Sequence, residues 1–313
     1  MTYAYYPGCS IVGTGRPFEE SLVAVLERFD LGLDELNDWN CCGASAAHSV
    51  DVNRSVALSA RNLALAESTA SGPDPVDLVT PCVGCYRAML SAQDSLDRPQ
   101  VAQRVDHALH TIGLRYDRRV RVRHVLELLT NEIGPDRIRS AVVRPLDGLR
   151  VACYYGCLLV RPEAVFDDPH DPTAIDVLMQ AIGAEPIDWP MKTRCCGGSC
   201  YGADPFSGTT PQGTLALSHA ILREAERRGA DAVATACPLC QFNLEGFQGR
   251  MTREFGTDHD LTVGYVTQFL GLALGIDERR LGIQRMLRWE LPAAKPEPEP
   301  ETVVAEGGVH ASA

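Results

Sequence analysis

Ten of the chain's twelve cysteines fall into two sets of one pattern, and few folds can satisfy that pattern twice. The first set is Cys9, the adjacent pair Cys41-Cys42, and Cys82-x-x-Cys85; the second is Cys157, the pair Cys195-Cys196, and Cys237-x-x-Cys240. The stretches between these landmarks are 31 and 39 residues in the first set and 37 and 40 in the second. Flanking residues repeat as well: Tyr-Tyr-Pro-Gly-Cys9 matches Tyr-Tyr-Gly-Cys157, and Cys-Cys-Gly43 matches Cys-Cys-Gly197. Pro-Cys-Val-Gly-Cys85 matches Cys-Pro-Leu-Cys240. The offsets Cys9 to Cys157, Cys41 to Cys195, Cys82 to Cys237 and Cys85 to Cys240 are 148, 154, 155 and 155 residues. An offset this steady marks an internal duplication. Five thiols per set exceed the four ligands of one tetrahedral ion.

The sequence around each landmark alternates strand and helix. Apolar strand signals at 3–6 and 76–80 run into Pro7-Gly8 and Pro81-Cys82, and residues 18–29 and 52–68 carry helical spacing. The second half repeats this, with strands expected at 149–155, 186–189 and 232–235 and helices at 173–182 and 215–228. Strand–loop–helix alternation implies an α/β fold with parallel sheets. The expected architecture is two pseudo-symmetric, Rossmann-like half-domains with the cysteine sites between them. Residues 1–145 form the first cysteine-rich domain plus a helical connector from 101, with an amphipathic helix at 124–132. Residues 146–291 form the second, and 292–313, with Lys-Pro-Glu-Pro-Glu-Pro-Glu301, form an acidic tail expected to be disordered.

Composition narrows the function classes. A chain of 313 residues with 45% hydrophobic and 22% charged residues is globular. A net charge of -12 argues against nucleic-acid and anionic-membrane binding, which need basic surfaces. There is no signal-peptide pattern at the start and no run approaching the roughly 18 apolar residues of a membrane span. A cytoplasmic protein is the expectation, and in a reducing compartment clustered cysteines point to metal or redox chemistry.

Thiolates suit iron and zinc. A glycine after each Cys-Cys pair allows a positive-φ turn that can bring both sulfurs to one side, and Gly197-Gly198 makes the second site the roomier. A Cys-x-x-Cys opening a helix places two sulfurs on one face at the positive end of the helix dipole, and Pro238 fits a first helical turn. A closed zinc site in one half or both is the chief rival, although it leaves one cysteine over in each half. A thioredoxin-type dithiol does not explain the adjacent pairs, and buried core cysteines do not explain the duplication. Cys153 is expected in the core, and Cys200, after the Gly-Gly-Ser loop, could approach the second site, a ligand or redox role being the less ordinary reading for it. No two histidines have metal-ligand spacing, His48 is expected at the surface or at a helix cap, and no Gly-x-Gly-x-x-Gly follows a strand.

The two cysteine blocks, with Arg123-His124 and Val143-Arg144-Pro145 between them, resemble the paired cysteine-rich (CCG) domains of the heterodisulfide reductase B-subunit family over roughly residues 3–285. The resemblance implies an oxidoreductase acting on disulfides, with two non-cubane 4Fe–4S clusters. Cys9, Cys41, Cys42, Cys82 and Cys85 would hold one cluster. Cys157, Cys195, Cys196, Cys237 and Cys240 would hold the other and form the reacting site. It also implies a disulfide or thiol substrate and two partner proteins, a small iron–sulfur subunit with two cubane clusters and a flavin subunit beyond it. One departure is Tyr154, where methanogen members tend to carry histidine.

Overall fold

The computed structural model of the chain describes residues 1–162, 165–198 and 212–292. The expected disorder of the tail, beyond residue 292, and the expected role of Cys200 lie outside the described residues.

The first half opens with β1 (Thr2–Tyr5), whose Tyr3 and Tyr5 are buried. Gly8, at φ +77°, turns the chain into α1 (Cys9–Val12), followed by α2 (Arg16–Glu27). Phe18, Leu22, Val25 and Leu26 form the buried stripe of α2, at the spacing of one helix face. Then come β2 (Gly32–Glu35), α3 (Ala46–Val50), α4 (Val52–Ser68), β3 (Val76–Thr80), α5 (Val83–Ser95), α6 (Pro99–Thr111) and β4 (Val120–His124). The one-turn α7 (Val125–Glu127) runs into a π-helical stretch (Leu128–Ile133), and α8 (Pro135–Ser140) ends the half.

The second half runs β5 (Arg150–Tyr154), α9 (Ala174–Ala181), β6 (Glu185–Pro186), α10 (Gln212–Arg227) and β7 (Ala232–Thr235). It continues through α11 (Pro238–Gly246), α12 (Gln248–Phe255), β8 (Thr262–Tyr265) and α13 (Val266–Ala273). Each half forms a four-stranded sheet, ordered β2-β1-β3-β4 and β6-β5-β7-β8, with every pairing parallel.

Three local expectations are corrected. Residues 101–145 are not a purely helical connector, because β4 completes the first sheet. Its alternating arginines disguise it: Arg121 and Arg123 pair with Asp77 of β3, so charge sits where apolar residues would have signalled a strand. The amphipathic helix expected at 124–132 begins one residue later and is not a regular α-helix: His124 ends β4, α7 passes into the π-helical stretch, and Val125, Leu126, Leu128 and Leu129 are buried while Asn131 and Glu132 are exposed. The strand expected at 186–189 pairs only at Glu185–Pro186, while Ile187 donates its N–H to Val151 and Trp189 turns into the core.

The halves interlock. Helix α13 packs on α2, and α7 packs on α9. Tyr265, at the end of β8, stacks on Phe18 of α2 with centroids 4.4 Å apart and planes 9° apart. One turn away the buried hydroxyls of Ser21 and Thr267 lie 2.6 Å apart. A single hydrophobic core runs through both halves.

Arg123 is only 3% exposed, yet it meets Glu127 at 2.9 Å, Glu132 at 2.8 Å and Asp77 at 3.3 Å. Its guanidinium ties β3 and β4 to the turn that follows, and removing one partner of a buried ion network leaves the others uncompensated. Arg123→Met is expected to lower unfolding stability by about 3 kcal/mol, measured by urea denaturation; a loss below about 1 kcal/mol would mean that water already screens this network.

Candidate functional site

Every cysteine of the two sets leaves the carboxyl edge of a parallel sheet. Cys9 follows β1, the Cys41-Cys42 pair follows β2, and Cys82 caps the N-terminus of α5 directly after β3. Because β1 lies between β2 and β3, the chain reverses its winding direction there. That is where open α/β sheets form ligand crevices. The second set repeats the placement, with Cys237 capping α11 and Pro238 in its first turn.

Glycine makes the close approach possible. Gly8 and Gly156 adopt φ of +77° and +70°, and a Cβ on them would lie 2.8 Å from the Cys85 sulfur and 3.0 Å from the Cys240 sulfur. Gly43 and Gly197, at φ +81° and +82°, turn each Cys-Cys pair. Their N–H groups donate to the sulfurs of Cys41 and Cys195 at 3.4 and 3.3 Å.

The pairs are held by hydroxyls that sequence reading did not single out. Ser55 and Ser59 of α4 donate to the carbonyls of Gly43 at 3.0 Å and Cys42 at 2.7 Å. Thr214 and Ser218 of α10 donate to those of Gly197 at 3.0 Å and Cys196 at 3.1 Å. Tyr6 donates to the carbonyl of Asn40 at 2.8 Å, and Tyr154 donates to that of Arg194. The departure at Tyr154 therefore has a structural use: it does in the second half what Tyr6 does in the first. These residues were detectable in principle, since Ser55 to Thr214 and Ser59 to Ser218 share one offset of 159 residues.

The thiols form contact chains. In the first half, Cys9 bonds Cys41, Cys41 bonds Cys42, Cys42 bonds Cys85, and Cys85 bonds Cys82. In the second, Cys157 bonds Cys195, Cys237 bonds Cys240, and the Cys196 and Cys240 sulfurs lie 3.4 Å apart. The two chains approach each other at Cys82 and Cys237, which are near enough across the halves to shift each other's proton affinity. All ten residues expected at the site are brought together this way, and buried Cys153 is not among them. A small cavity of about 30 Å³ is lined by all five cysteines of the second set and, from the first half, by Val83 and Gly84.

Protons are unevenly shared along these chains. The bond from Cys157, helped by the Gly197 N–H and by Arg161, pulls the Cys195 thiol down to about 6, while Cys157 itself is pushed up by the same bond. Cys41 is lowered by bonds from Cys42 and Cys9, and Cys42 is pushed up to about 12, chiefly by its bond to Cys41. Cys237 is lowered by bonds from Cys240 and Cys82, at the positive end of α11 where thiolates are favoured. Burial drives the fully enclosed His124 down to about 4, which keeps it neutral at neutral pH.

Among the described residues the histidines contribute no ligand set. His219 and His259 meet at 2.8 Å and His259 bonds Glu226, so their nitrogens face each other rather than a shared centre. The donor set is all sulfur, and at equivalent positions Thr80 and Thr235 bury hydroxyls that have no hydrogen-bond partner. Clustered thiols are the donor type that iron–sulfur groups use, and free hydroxyl donors in the same loops would suit inorganic sulfides, which accept hydrogen bonds.

Gly8→Ala is expected to destabilise the chain by about 1–3 kcal/mol more than Gly113→Ala, because Gly113 shares its positive φ but has open space around its Cβ. Thermal unfolding of the two variants makes the comparison, and equal losses would show that backbone strain alone matters. In the metal-free chain at pH 7, Cys195 is expected to be largely thiolate and Cys157 protonated, so iodoacetamide should modify Cys195 before Cys157. Mass spectrometry of digests reads the order, which should fade as the pH falls below about 6.

Comparison with known proteins agrees with this geometry. A family described as the cysteine-rich (CCG) domain matches residues 3–90 and 151–245, one copy in each half. The B subunit of the ferredoxin/F420H2-dependent CoB-CoM heterodisulfide reductase of Methanosarcina acetivorans is 32% identical over 90% of this chain and 91% of its own length. A membrane anchor subunit of 8-methylmenaquinol:fumarate reductase from Wolinella succinogenes is 30% identical over 90% of this chain and 95% of its own. A hypothetical protein from Helicobacter pylori superposes with a TM-score of 0.71 at 15% identity, over 90% of this chain and 51% of that one. This chain thus spans about half of that structure's length, and the likeness bears on fold alone. The duplicated cysteine architecture, the two matched domains and the identity to a B subunit over nine-tenths of the chain agree: the protein belongs to the heterodisulfide reductase B-subunit family.

Proposed function

We propose that this chain is the disulfide-handling iron–sulfur component of a multi-subunit, cytoplasmic oxidoreductase. The observation that carries the reading is the approach of the two five-thiol sets at Cys82 and Cys237, beside a cavity lined by the second set's five cysteines and by Val83 and Gly84 of the first half. A structural zinc needs four thiolates and no cavity.

Cys9, Cys41, Cys42, Cys82 and Cys85 would hold one non-cubane 4Fe–4S cluster, and Cys157, Cys195, Cys196, Cys237 and Cys240 the second. When bound, the clusters would supply one electron each and iron that takes up a thiolate sulfur. The overall reaction adds two electrons and two protons to a disulfide and yields two thiols. The chain's own residues shape the site around it. Leu158 and Leu239 form apolar walls, and Gly84 opposite them leaves room for a sulfur to enter. The serine, threonine and tyrosine bonds keep the cysteine loops in place while the sulfurs change charge. Electrons would arrive from a small iron–sulfur partner and, beyond it, a flavin partner, in keeping with relatives that are named as components of heterodisulfide reductases.

A second reading is an electron-transfer or quinone-reactive component of a dehydrogenase complex. The Wolinella relative favours it, since that protein is named as part of a menaquinol:fumarate reductase. Among the described residues of this chain, no helix is long and apolar enough to cross a membrane.

Anaerobic purification with metal analysis should give about eight irons per chain, with EPR signals that change when a disulfide or a thiol is added. Signals that respond to a quinol analogue but not to disulfides would move the assignment to the second reading. One or two zincs with no iron would overturn both.

A further inference from the structure

The two cysteine loops that meet across the halves share one side chain. His124 is the last residue of β4, opposite Thr80 in the register with β3, and is fully buried. Its Nδ1 accepts the N–H of Leu126 at 3.2 Å. Its Nε2 lies 3.2 Å from the carbonyl of Pro81, the residue before Cys82. The carbonyl of Ala236, the residue before Cys237 in the other half, also lies close enough to the ring to raise its proton affinity. With Nδ1 taken up by the Leu126 amide, the Nε2 proton is the donor available to both carbonyls. Tyr86 of α5 holds the ring edge-on, with centroids 5.7 Å apart and planes 68° apart.

The equivalent position in the second half does something else. Tyr265 sits opposite Thr235 as His124 sits opposite Thr80. Its ring stacks on Phe18 and its hydroxyl reaches Gln241 at 3.3 Å. Where the duplication repeats serines, threonines, tyrosines and glycines closely, it breaks at this position, next to the contact between the two cysteine sets.

We propose that His124 is a positioning residue: its single imidazole N–H staples the Pro81-Cys82 loop to the Ala236-Cys237 loop and sets the distance between the two sulfurs. Carbonyl groups repel one another and do not associate unaided, so a buried donor between them acts as a bridge. Without it the two helix N-termini, each carrying a capping cysteine, have like partial charges facing each other. Coupling between the two sites depends on this staple, and that consequence, unlike the staple itself, rests on the function proposed above.

The test compares His124→Gln, His124→Asn and His124→Phe in the full-length chain. Glutamine can place an amide N–H near the position of Nε2, asparagine falls short of it, and phenylalanine keeps only the ring. In the metal-free, reduced protein, diamide takes two electrons and two protons from a close thiol pair and leaves a disulfide, which peptide mapping identifies. Cys82–Cys237 cross-linking should fall at least about fivefold in the Phe and Asn variants and stay within about twofold of the parent in the Gln variant. Cross-linking of Cys196 to Cys240, a pair within one half, should be unchanged in all three. In iron-loaded protein, EPR should show weakened magnetic interaction between the two centres in the Phe and Asn variants at unchanged iron content. Undiminished Cys82–Cys237 cross-linking in the Phe variant overturns the staple. If that variant also loses the Cys196–Cys240 cross-link through misfolding, the Gln and Asn variants decide, and equal behaviour of the two overturns it. Absence of iron in the parent chain would defeat the proposed function while leaving the cross-linking result to judge the staple.

Discussion

The contact between the N-termini of two helices, each capped by a cysteine, is the constraint on which the rest of the molecule depends. Helices α5 and α11 are capped by Cys82 and Cys237, and these two residues influence each other's proton affinity across the halves. Two positive helix ends do not approach without compensation. Here it comes from the Cys237 sulfur, whose proton affinity is lowered so that it readily carries negative charge, and from His124 beside the neighbouring carbonyls. The packing of α13 on α2 and of α7 on α9 presses the sheets together from outside. The site at the centre and the interlocked helices around it are two aspects of one arrangement.

Duplication explains why so much of the site is doubled. Glycines at positive φ, hydroxyls reaching the carbonyls of each Cys-Cys-Gly turn, and tyrosines on the preceding carbonyl all occur once in each half. Each device is local, so each half could keep its own copy. The differences gather where the halves face each other. There one position is His124 and its counterpart Tyr265, and the cavity is lined by every cysteine of the second set and none of the first.

The ten cysteines and the α/β alternation were legible in the sequence because both are local signals: a short motif and a run of apolar residues. Strand β4 was not, because its alternating arginines take their meaning from Asp77, more than forty residues earlier in the chain. Strand β2 escaped notice for a related reason: it ends in Asp34 and Glu35 at the sheet edge and buries none of its residues. The supporting hydroxyls of Ser55, Ser59, Thr214 and Ser218 lie on helices whose pattern reads as ordinary packing. Only their shared offset marks them, and an offset becomes visible once the first set of landmarks has been aligned. The pairing of His219 with His259 spans forty residues and two elements, beyond the reach of any spacing rule.

The hydroxyl bonds beside each Cys-Cys pair fasten peptide carbonyls and leave the sulfurs alone. A carbonyl clamp of this kind has the same geometry whether the neighbouring sulfur is protonated, charged or bound to a metal. The backbone around the site therefore has little reason to move when an electron arrives or departs. If the site carries electrons as proposed, such clamps would keep the reorganisation of the surrounding backbone small, and serine and threonine rather than the cysteines would do it.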